Sequence, residues 1–362
     1  MIFTLKYITD SDMNNTSKYC REHLFSVFSE TILPFLGAFT LLNILPAFLY
    51  GCSSPEQLQT YPVRSRITIG LTGNEGRISD LDIFVFRDDG LQRLDCYQKV
   101  QNLSSWNKEI VSGCGDRLIA VCANSRRDIM EWAHITSLTS LQSIKVSLED
   151  ESSGYPFMCG IEKVVSGYGG RYTDMKISPI SSIVQIRSIS CDFSDKPYSG
   201  AKMTDAKAYL TNVNAECGIF EGNDILPTRI INAGGLCIEE MKEMKDASLL
   251  YGEFSEDIGR NAINPGLSFR CYPNNSASES PGTPFTRLVI EGKILGETYY
   301  WPIDINRDDR CTGIYRNEKY IYDIRITRKG SSNPDIPVKA EDIDIMFKVE
   351  KWKEQEDYEI IF

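Results

Sequence analysis

Residues 319–327 read KYIYDIRIT, and this stretch decides the fold class. Apolar side chains occupy every second position, while charged and polar side chains occur among the positions between them. A period of two is typical of a half-buried β-strand, because successive side chains point to opposite faces of a sheet. The stretch therefore predicts a strand with one face in a core. That face comprises Tyr320, Tyr322, Ile324 and Ile326.

Similar short strands recur through the second half of the chain, with turn residues between them. The predicted strands are SSIVQIRSIS (181–190), AKAYLTNV (206–213), TRIINAGGLCI (228–238), FTRLVIEGKI (285–294), ETYYWPIDI (297–305) and EDIDIMFKVEKW (341–352). Many short strands with little helix favour antiparallel β-sandwiches.

The first half begins with another alternating segment, TYPVRSRITIGLTG (60–73), which predicts a half-buried strand. In the next strand, ISDLDIFVF (78–86), the apolar residues point both ways. Leu81, Ile83 and Val85 form one face, and Phe84 and Phe86 form the other. Asp88-Asp89-Gly90 then predicts a hairpin turn, in which we expect the glycine to supply the positive φ.

One region breaks the β pattern. Asp128 followed by Glu131 is an acidic variant of the capping box, and it precedes IMEWAHITSLTSLQSI (129–144). This predicts one helix or a pair of short helical pieces. Residues 154–182 are rich in Gly, Ser, Tyr and Pro, so we expect a domain boundary near their end. The predicted domains are residues 52–180 and residues 181–362.

The charge balance excludes several classes of function. The 362-residue chain has 50 acidic and 39 basic residues, a formal net charge of −11. Phosphate binding needs clustered Lys and Arg, so no nucleic-acid partner is expected. The two histidines, His23 and His134, have no spacing typical of a metal site or a catalytic triad. We therefore predict a non-enzymatic protein with no metal and no other cofactor.

A calcium loop is also excluded at residues 304–315, DINRDDRCTGIY. Asp304, Asn306 and Asp308 alternate as calcium ligands do, but Asp309 and Tyr315 replace the glycine and glutamate that the loop requires. A turn between strands is the expected structure. Residues 53–362 contain nine cysteines, an odd number at low density, so we expect packed thiols rather than a disulfide framework.

The N-terminal segment predicts export. Residues 32–50, ILPFLGAFTLLNILPAFLY, are apolar but interrupted by two prolines, and no basic cluster follows them. Leu49-Tyr50-Gly51-Cys52 resembles a bacterial lipobox, with cleavage between Gly51 and Cys52 and acylation of Cys52. Tyr50 is unusual in that motif. Residues 1–51 are thus predicted to be a lipoprotein signal segment, and a plain signal peptide or an anchor helix is the alternative.

A family resemblance rests on an ordered series of motifs between Cys52 and the C-terminus. They are the lipobox, LDIFVFRDDG, RLIAVCANS leading into ITSLTSLQSI, YPFMCG, CDFSDKPYSG with AYLTNVN, and KYIYDIRITRKGSSNPDIPV. In this order they resemble the fimbrillins, the type V pilus subunits of Bacteroidales-like bacteria. The resemblance implies two tandem transthyretin-like Greek-key β-sandwich domains. It also implies a surface-exposed fimbrium at the cell outer membrane and an exported, palmitate-type lipoprotein.

The resemblance further implies assembly by donor-strand exchange with other fimbrial subunits. An arginine-directed protease would cut at Arg64 or Arg66, and a neighbour's tail would fill the groove of the first strand. The replaceable first strand is represented by Val63, Ile67, Ile69 and Leu71. The candidate donor tail is represented by Tyr358, Ile360 and Phe362. A final strand of the chain's own sandwich is an equal interpretation of this tail.

Two functions remain open at this level. The first is a structural pilus subunit that contributes to adhesion through a host or bacterial surface receptor. The alternative is a surface lipoprotein that binds or processes glycans, for which the carboxylates and Tyr299, Tyr300 and Trp301 are the candidates. These three aromatic residues fit a strand in a core equally well.

Overall fold

The computed structural model describes residues 64–72, 77–101, 107–167, 169–220, 222, 226–308, 311–336 and 343–351. These residues lie in one compact unit, Pro62–Phe362, and they are mostly β-structure. The strands are β1 (Arg64–Thr72), β2 (Asp80–Arg87), β3 (Leu94–Gln101), β4 (Lys108–Gly113), β5 (Gly115–Ala123), β6 (Lys145–Ser147), β7 (Met158–Ser166), β8 (Arg171–Lys176), β9 (Ser178–Pro179), β10 (Ser182–Cys191), β11 (Met203–Thr211), β12 (Val213–Asn214), β13 (Glu216–Gly218), β14 (Ile230–Ile231), β15 (Tyr251–Glu253), β16 (Ser268–Cys271), β17 (Arg287–Ile294), β18 (Glu297–Asp304), β19 (Arg307–Asp308), β20 (Cys311–Thr312), β21 (Glu318–Ile326) and β22 (Ile343–Lys351).

Helical structure is short. The α-helices are α1 (Leu138–Gln142) and α2 (Ile238–Glu243), and the 3-10 helices are Met130–Trp132, Leu148–Asp150 and Ala247–Leu249. The predicted capping box is present, because Asp128 Oδ1 accepts from the Glu131 amide at 3.1 Å and Glu131 Oε1 accepts from the Asp128 amide at 3.0 Å. The interpretation as a pair of short helical pieces is confirmed.

The first half forms two facing sheets. One has the strand order β4-β1-β8, and the other has the order β3-β2-β5-β7-β9. Their facing side chains make one apolar cluster, which includes Ile67 and Ile69 of β1 and Leu81, Ile83 and Val85 of β2. Two sheets around one apolar layer constitute a β-sandwich.

The five-stranded sheet is buried on both faces, which explains the continuous apolar run in β2. Phe84 and Phe86 point away from the first cluster and pack in a second one. There the Phe84 ring meets the Trp132 indole edge-on, with the ring centroids 5.2 Å apart. The predicted division of the β2 side chains between two faces is confirmed.

The second half forms another pair of sheets, with the strand orders β16-β10-β21-β22 and β15-β11-β17-β18. Their side chains join the same large cluster, in which Tyr322 and Trp301 are almost completely buried. The first pair of sheets ends at Pro179 and the second begins at Ser182. Because the large cluster includes residues of both halves, the division into residues 52–180 and 181–362 stays a prediction.

Two local expectations were wrong. The strand expected over residues 228–238 is limited to β14, because Asn232 (φ 54°) and Gly234 (φ 70°) turn the chain before α2 begins. In the β2–β3 hairpin the positive φ belongs to Gln92 (46°) rather than to Gly90. The Asp89 carboxylate accepts from the amides of Leu91 and Gln92, at 3.0 and 2.8 Å, and so fixes this turn.

The cysteines pack as predicted from the apolar runs around them. The eight whose side chains the structure describes are all free thiols, and five of them are buried. Burial raises the pKa of the Cys271 thiol to about 12, so this group stays protonated and unreactive at neutral pH. The expectation of packed thiols is confirmed for Cys122, which is fully buried, whereas Cys237 is only half-buried.

Candidate assembly interface

Strand β1 lies in the middle of its sheet rather than at an edge. It pairs antiparallel with β4 from Arg64 to Ile69, and parallel with β8 from Ile67 to Thr72. Six residues therefore pair on each side. A central strand satisfies the backbone groups of two neighbours at once, so its removal would leave two unpaired strands facing each other.

The side chains of β1 alternate as the sequence predicts. Ile67 and Ile69 are 0% and 1% exposed and pack in the sandwich core, and Leu71 packs against the same cluster while half-buried. Arg64 and Arg66 lie on the solvent face. Burying an aliphatic side chain of this size contributes ~1.5–3 kcal/mol. The strand is held by backbone pairing and by two fully buried isoleucines.

Among the described residues, Ser65 gives β1 a polar side-chain contact with a neighbouring segment. Ser65 Oγ donates to the Gly167 carbonyl at 2.6 Å. On the solvent face the Tyr172 hydroxyl donates to Asp174 Oδ1 at 2.7 Å, and this hydrogen bond raises the pKa of Tyr172. Both groups lie over Gly70, where a Cβ would come within 2.3 Å of the Tyr172 hydroxyl. The glycine therefore allows the phenol ring to lie against the strand.

A third arginine, Arg77, follows β1 in the sequence and was not among the predicted processing sites. Arg77 is exposed and precedes β2, and its carbonyl accepts from Asn124 Nδ2 at 2.8 Å. Asn124 Oδ1 accepts from the Ser79 amide at 2.8 Å, so one side chain holds the start of β2 from two sides. The sequence could have indicated Arg77 as a processing site, because this arginine lies between two strand patterns in the glycine-rich stretch GNEGR (73–77).

Strand β22 closes the sheet of the second half. It pairs antiparallel with β21 over nine residues, from Ile343 to Lys351. The candidate donor residues Tyr358, Ile360 and Phe362 lie outside the described residues, as do Val63 and the lipidation and cleavage sites Cys52 and Gly51. Their roles stay predictions. Within the described part of the chain no helix has the length and apolarity that a membrane span requires.

The aromatic residues proposed for glycan stacking are not displayed together. Trp301 is 0% exposed, and its indole Nε1 donates to the Arg328 carbonyl at 3.1 Å. Tyr299 and Tyr300 are half-buried. A sugar ring cannot reach the face of a buried indole, so Trp301 belongs to the core, which is the other interpretation that the sequence allowed.

Among the described residues no group of three or more His, Cys, Asp and Glu side chains is placed to hold a metal ion. Residues 304–315, whose alternating Asp and Asn resemble calcium ligands, contain the two-residue strands β19 and β20, which pair antiparallel. His134 is exposed.

Comparison with known proteins identifies the fold. No protein-family model matches the sequence, and no curated protein matches it. A proposed cell adhesion protein from Bacteroides eggerthii matches with a TM-score of 0.62 and 18% identity, over 80% of this chain and 96% of that chain. The fimbrilin FimA from Porphyromonas gingivalis matches with a TM-score of 0.56 and 15% identity, over 80% and 98%.

The tip fimbrial protein Mfa3 from Porphyromonas gingivalis, determined with a C-terminal truncation, is also similar. Its TM-score is 0.51 at 13% identity, over 80% of this chain and 100% of that chain. The protein thus has the fold of Bacteroidales fimbrial and adhesion proteins. The resemblance to the fimbrillins is confirmed at the level of the fold.

Proposed function

We propose that the protein is a structural subunit of a cell-surface fimbrium, which assembles with other subunits by donor-strand exchange and contributes to adhesion. The central position of β1 between β4 and β8 is the observation that carries this proposal. The shared fold with fimbrial proteins supports it. In this role the protein acts by binding, without catalysis.

The physics of the groove favours exchange. Releasing β1 would uncover the slot filled by Ile67 and Ile69 and would leave the inner edges of β4 and β8 without partners. Exposed apolar surface and unpaired backbone groups both favour uptake of another extended segment. A strand with apolar residues at alternate positions would restore both kinds of contact.

The proposed processing site is Arg77 rather than Arg64 or Arg66. Both earlier arginines lie within β1, and a cut after either would leave Ile67 to Thr72 joined to the rest of the chain. A cut after Arg77 would separate the whole of β1. The contact between Asn124 and the Ser79 amide would then hold the new end of the chain in place.

The proposed donor is the tail that follows β22, with Tyr358, Ile360 and Phe362 as its alternating apolar residues. The donor is placed after β22 because β22 itself pairs with β21 in the chain's own sandwich. The partners are other fimbrial subunits and a host or bacterial surface receptor.

Export follows from the lipobox. In the proposed pathway the signal segment is removed after Gly51 and Cys52 is acylated, which places the protein on the cell outer membrane. We also propose that the chain folds as two domains with transthyretin-like Greek-key topology. A subunit that anchors the fibre would keep β1 and the lipid, whereas a polymerised subunit would lose both.

The proposal is tested by cutting the full chain with an arginine-specific protease and sequencing the new N-terminus. We expect a product that begins at Ile78, and Arg77→Gln should prevent its formation. Arg64→Gln with Arg66→Gln is the matched control and should leave that product unchanged. An N-terminus at Ser65 or Ile67 would move the processing site back to the earlier arginines.

A second measurement addresses assembly itself. The cut chain is mixed with a fluorescent peptide of residues 352–362, and retention is compared with that of the uncut chain. We expect stable retention by the cut chain alone. A peptide in which Tyr358, Ile360 and Phe362 are replaced by Ser is the control. If the cut chain retains neither this peptide nor a peptide of β1, donor-strand exchange is wrong for this protein.

A further inference from the structure

An arginine cleft lies on the solvent face of the three-stranded sheet, with a volume of about 600 Å³. Arg64, Arg66 and Arg171 line it together with Tyr172 and Gly170. Gly170 borders the cleft with a φ of 76°, a conformation that glycine accepts readily. Three cationic side chains therefore meet on one concave surface.

In the part of the chain that the structure describes, these three arginines lack the carboxylate partners that several other arginines have. Elsewhere arginines pair closely with carboxylates, as Arg229 does with Glu149 at 2.7 Å and Arg287 with Asp304 at 2.7 Å. Within the described residues, Arg64, Arg66 and Arg171 have no ion pair within 4.0 Å and no side-chain hydrogen bond. In a chain with a net charge of −11, an unpaired trio of arginines is a surface that attracts anions.

Tyr172 gives the cleft a flat apolar wall. The phenol lies over Gly70 and is held there by the hydrogen bond to Asp174, yet the residue is 53% exposed. An aromatic ring fixed against a sheet offers its free face to a flat or ring-shaped ligand at little cost in conformational entropy. Glu109 also lines the cleft and is the acidic group in this lining.

We infer that this cleft binds an anionic saccharide, with a carboxylate or sulfate group held by the arginines and a sugar ring stacked on Tyr172. Guanidinium groups match the geometry of planar and tetrahedral oxyanions, and they bind them through paired hydrogen bonds. A cavity of about 600 Å³ is in the range of small-ligand sites, which favours a saccharide over an extended acidic peptide or a membrane surface.

The inference goes beyond the assembly role and does not depend on it. It requires only the uncut chain with β1 in place, because Arg64 and Arg66 belong to β1. A chain that loses β1 would also lose two of the three arginines. Saccharide binding by the uncut chain can therefore fail while strand exchange still occurs, and the reverse is equally true.

The test is calorimetric titration of the full, uncut chain in detergent with oligogalacturonate, a heparin-derived oligosaccharide and a neutral dextran oligosaccharide of matched length. We expect the anionic sugars to bind and the dextran to bind at least about tenfold more weakly, since charge-assisted hydrogen bonds are the stronger kind. Raising the salt concentration to about 0.5 M should weaken the binding of the anionic sugars more than that of the dextran, because salt screens the attraction between charges.

Single substitutions separate the contribution of the arginines to binding from that of Tyr172. Arg66→Ala should weaken binding by about tenfold through the loss of charge-assisted hydrogen bonds. Tyr172→Ala should produce a loss of about the same size without changing the charge. Gly70→Val should also weaken binding, because its side chain would displace the phenol from the strand. The control replaces three exposed cations elsewhere, Arg93, Lys202 and Lys242, by Ala, and should change the affinity less than about twofold.

Three outcomes would overturn the inference. One is equal binding of dextran and the anionic sugars, and another is an equal loss of affinity in the control variant. The third is that a glutamate-rich peptide, or vesicles containing phosphatidylglycerol, displace the anionic sugar at equal charge concentration. The last result would assign the cleft to an acidic peptide or to a lipid surface.

Discussion

Strands β1 and β21 occupy equivalent places in their sheets, yet they are held in different ways. Each lies between one parallel and one antiparallel neighbour, β8 and β4 for β1, and β10 and β22 for β21. Both have an alternating sequence with one apolar face. The difference lies in what the buried side chains do.

Buried hydroxyl groups tie β21 to loops of its own sandwich. The Tyr322 hydroxyl accepts from the Asn306 amide at 3.2 Å, and the Tyr320 hydroxyl accepts from the Tyr315 amide at 2.9 Å. Burial raises the pKa of the Tyr322 phenol well above its usual value, so it remains a neutral hydroxyl. A replacement strand would have to supply both hydroxyl groups in register.

Strand β1 has no equivalent tie from its buried aliphatic residues. Ile67 and Ile69 contribute apolar contact alone, which any strand with aliphatic residues at the same spacing can reproduce. Backbone pairing is likewise independent of sequence. The buried isoleucines of β1 make fewer specific demands on side-chain chemistry than Tyr320 and Tyr322 of β21, although Ser65 of β1 also donates a hydrogen bond to the Gly167 carbonyl.

The largest expected effect is on β21. Replacing Tyr322 by Ala should lower the free energy of unfolding by about 3–5 kcal/mol, because it leaves a cavity and removes the acceptor of the buried Asn306 amide. Denaturant unfolding of the full chain, followed by tryptophan fluorescence, measures this change. A loss below about 1 kcal/mol would mean that β21 is no more firmly tied than β1.

A smaller loss is expected for β1. Ile67→Ala should lower the free energy of unfolding by about 2–4 kcal/mol, and it should speed hydrogen exchange at β1 amides before those of β21 respond. Thr68→Ala, on the opposite face, is the control and should cost less than about 0.5 kcal/mol. If hydrogen exchange accelerated in both strands at the same time, β1 would not open independently of β21.

The sequence predicts the alternation of both strands correctly, and it misses how they pair. Ile67 and Ile69 were expected on one face, and that face is buried. The partner β8 lies about a hundred residues further along the chain, and β1 pairs with it in parallel. Pairing at that separation depends on the packing of the whole sandwich, which a local period of two does not encode.

The candidate sites also differ in whether the sequence alone could have predicted them. Arg77 could have been found, since an arginine in a glycine-rich connection between two strand patterns is a local signal. The arginine cleft could not, because Arg66 and Arg171 meet only when β1 and β8 become neighbours. The aromatic run at residues 299–301 was ambiguous until burial of Trp301 placed it in the core.

Removing only the hydroxyl group sharpens the comparison further. Tyr322→Phe keeps the ring and its packing, so the expected loss of about 1–2 kcal/mol comes from the unsatisfied Asn306 amide. Tyr300→Phe is the matched control, since Tyr300 is half-buried, and it should change stability by less than about 0.5 kcal/mol. Equal effects of the two substitutions would show that the buried hydrogen bond does not distinguish β21.

The smallest effect concerns a charge that ties β21 to β10. Arg187 Nε donates to Asp323 Oδ1 at 3.0 Å, and this contact is the main cause of the lowered pKa of Asp323. A carboxyl group with a lowered folded pKa stabilises the protein above its unfolded pKa, and that stabilisation disappears as the pH falls through the folded pKa. Because Arg187 is largely exposed, Asp323→Asn should cost at most about 1 kcal/mol at pH 7.

The pH dependence makes that small effect measurable. The stability difference between the wild type and Asp323→Asn should be constant from neutral pH down to the unfolded pKa of an aspartate, about 3.9, and should shrink below it. Urea titrations at a series of pH values measure the difference directly. A difference that persists unchanged in strong acid would assign the effect to packing around Asp323. The ionic tie between β21 and β10 would then add nothing to the contrast with β1.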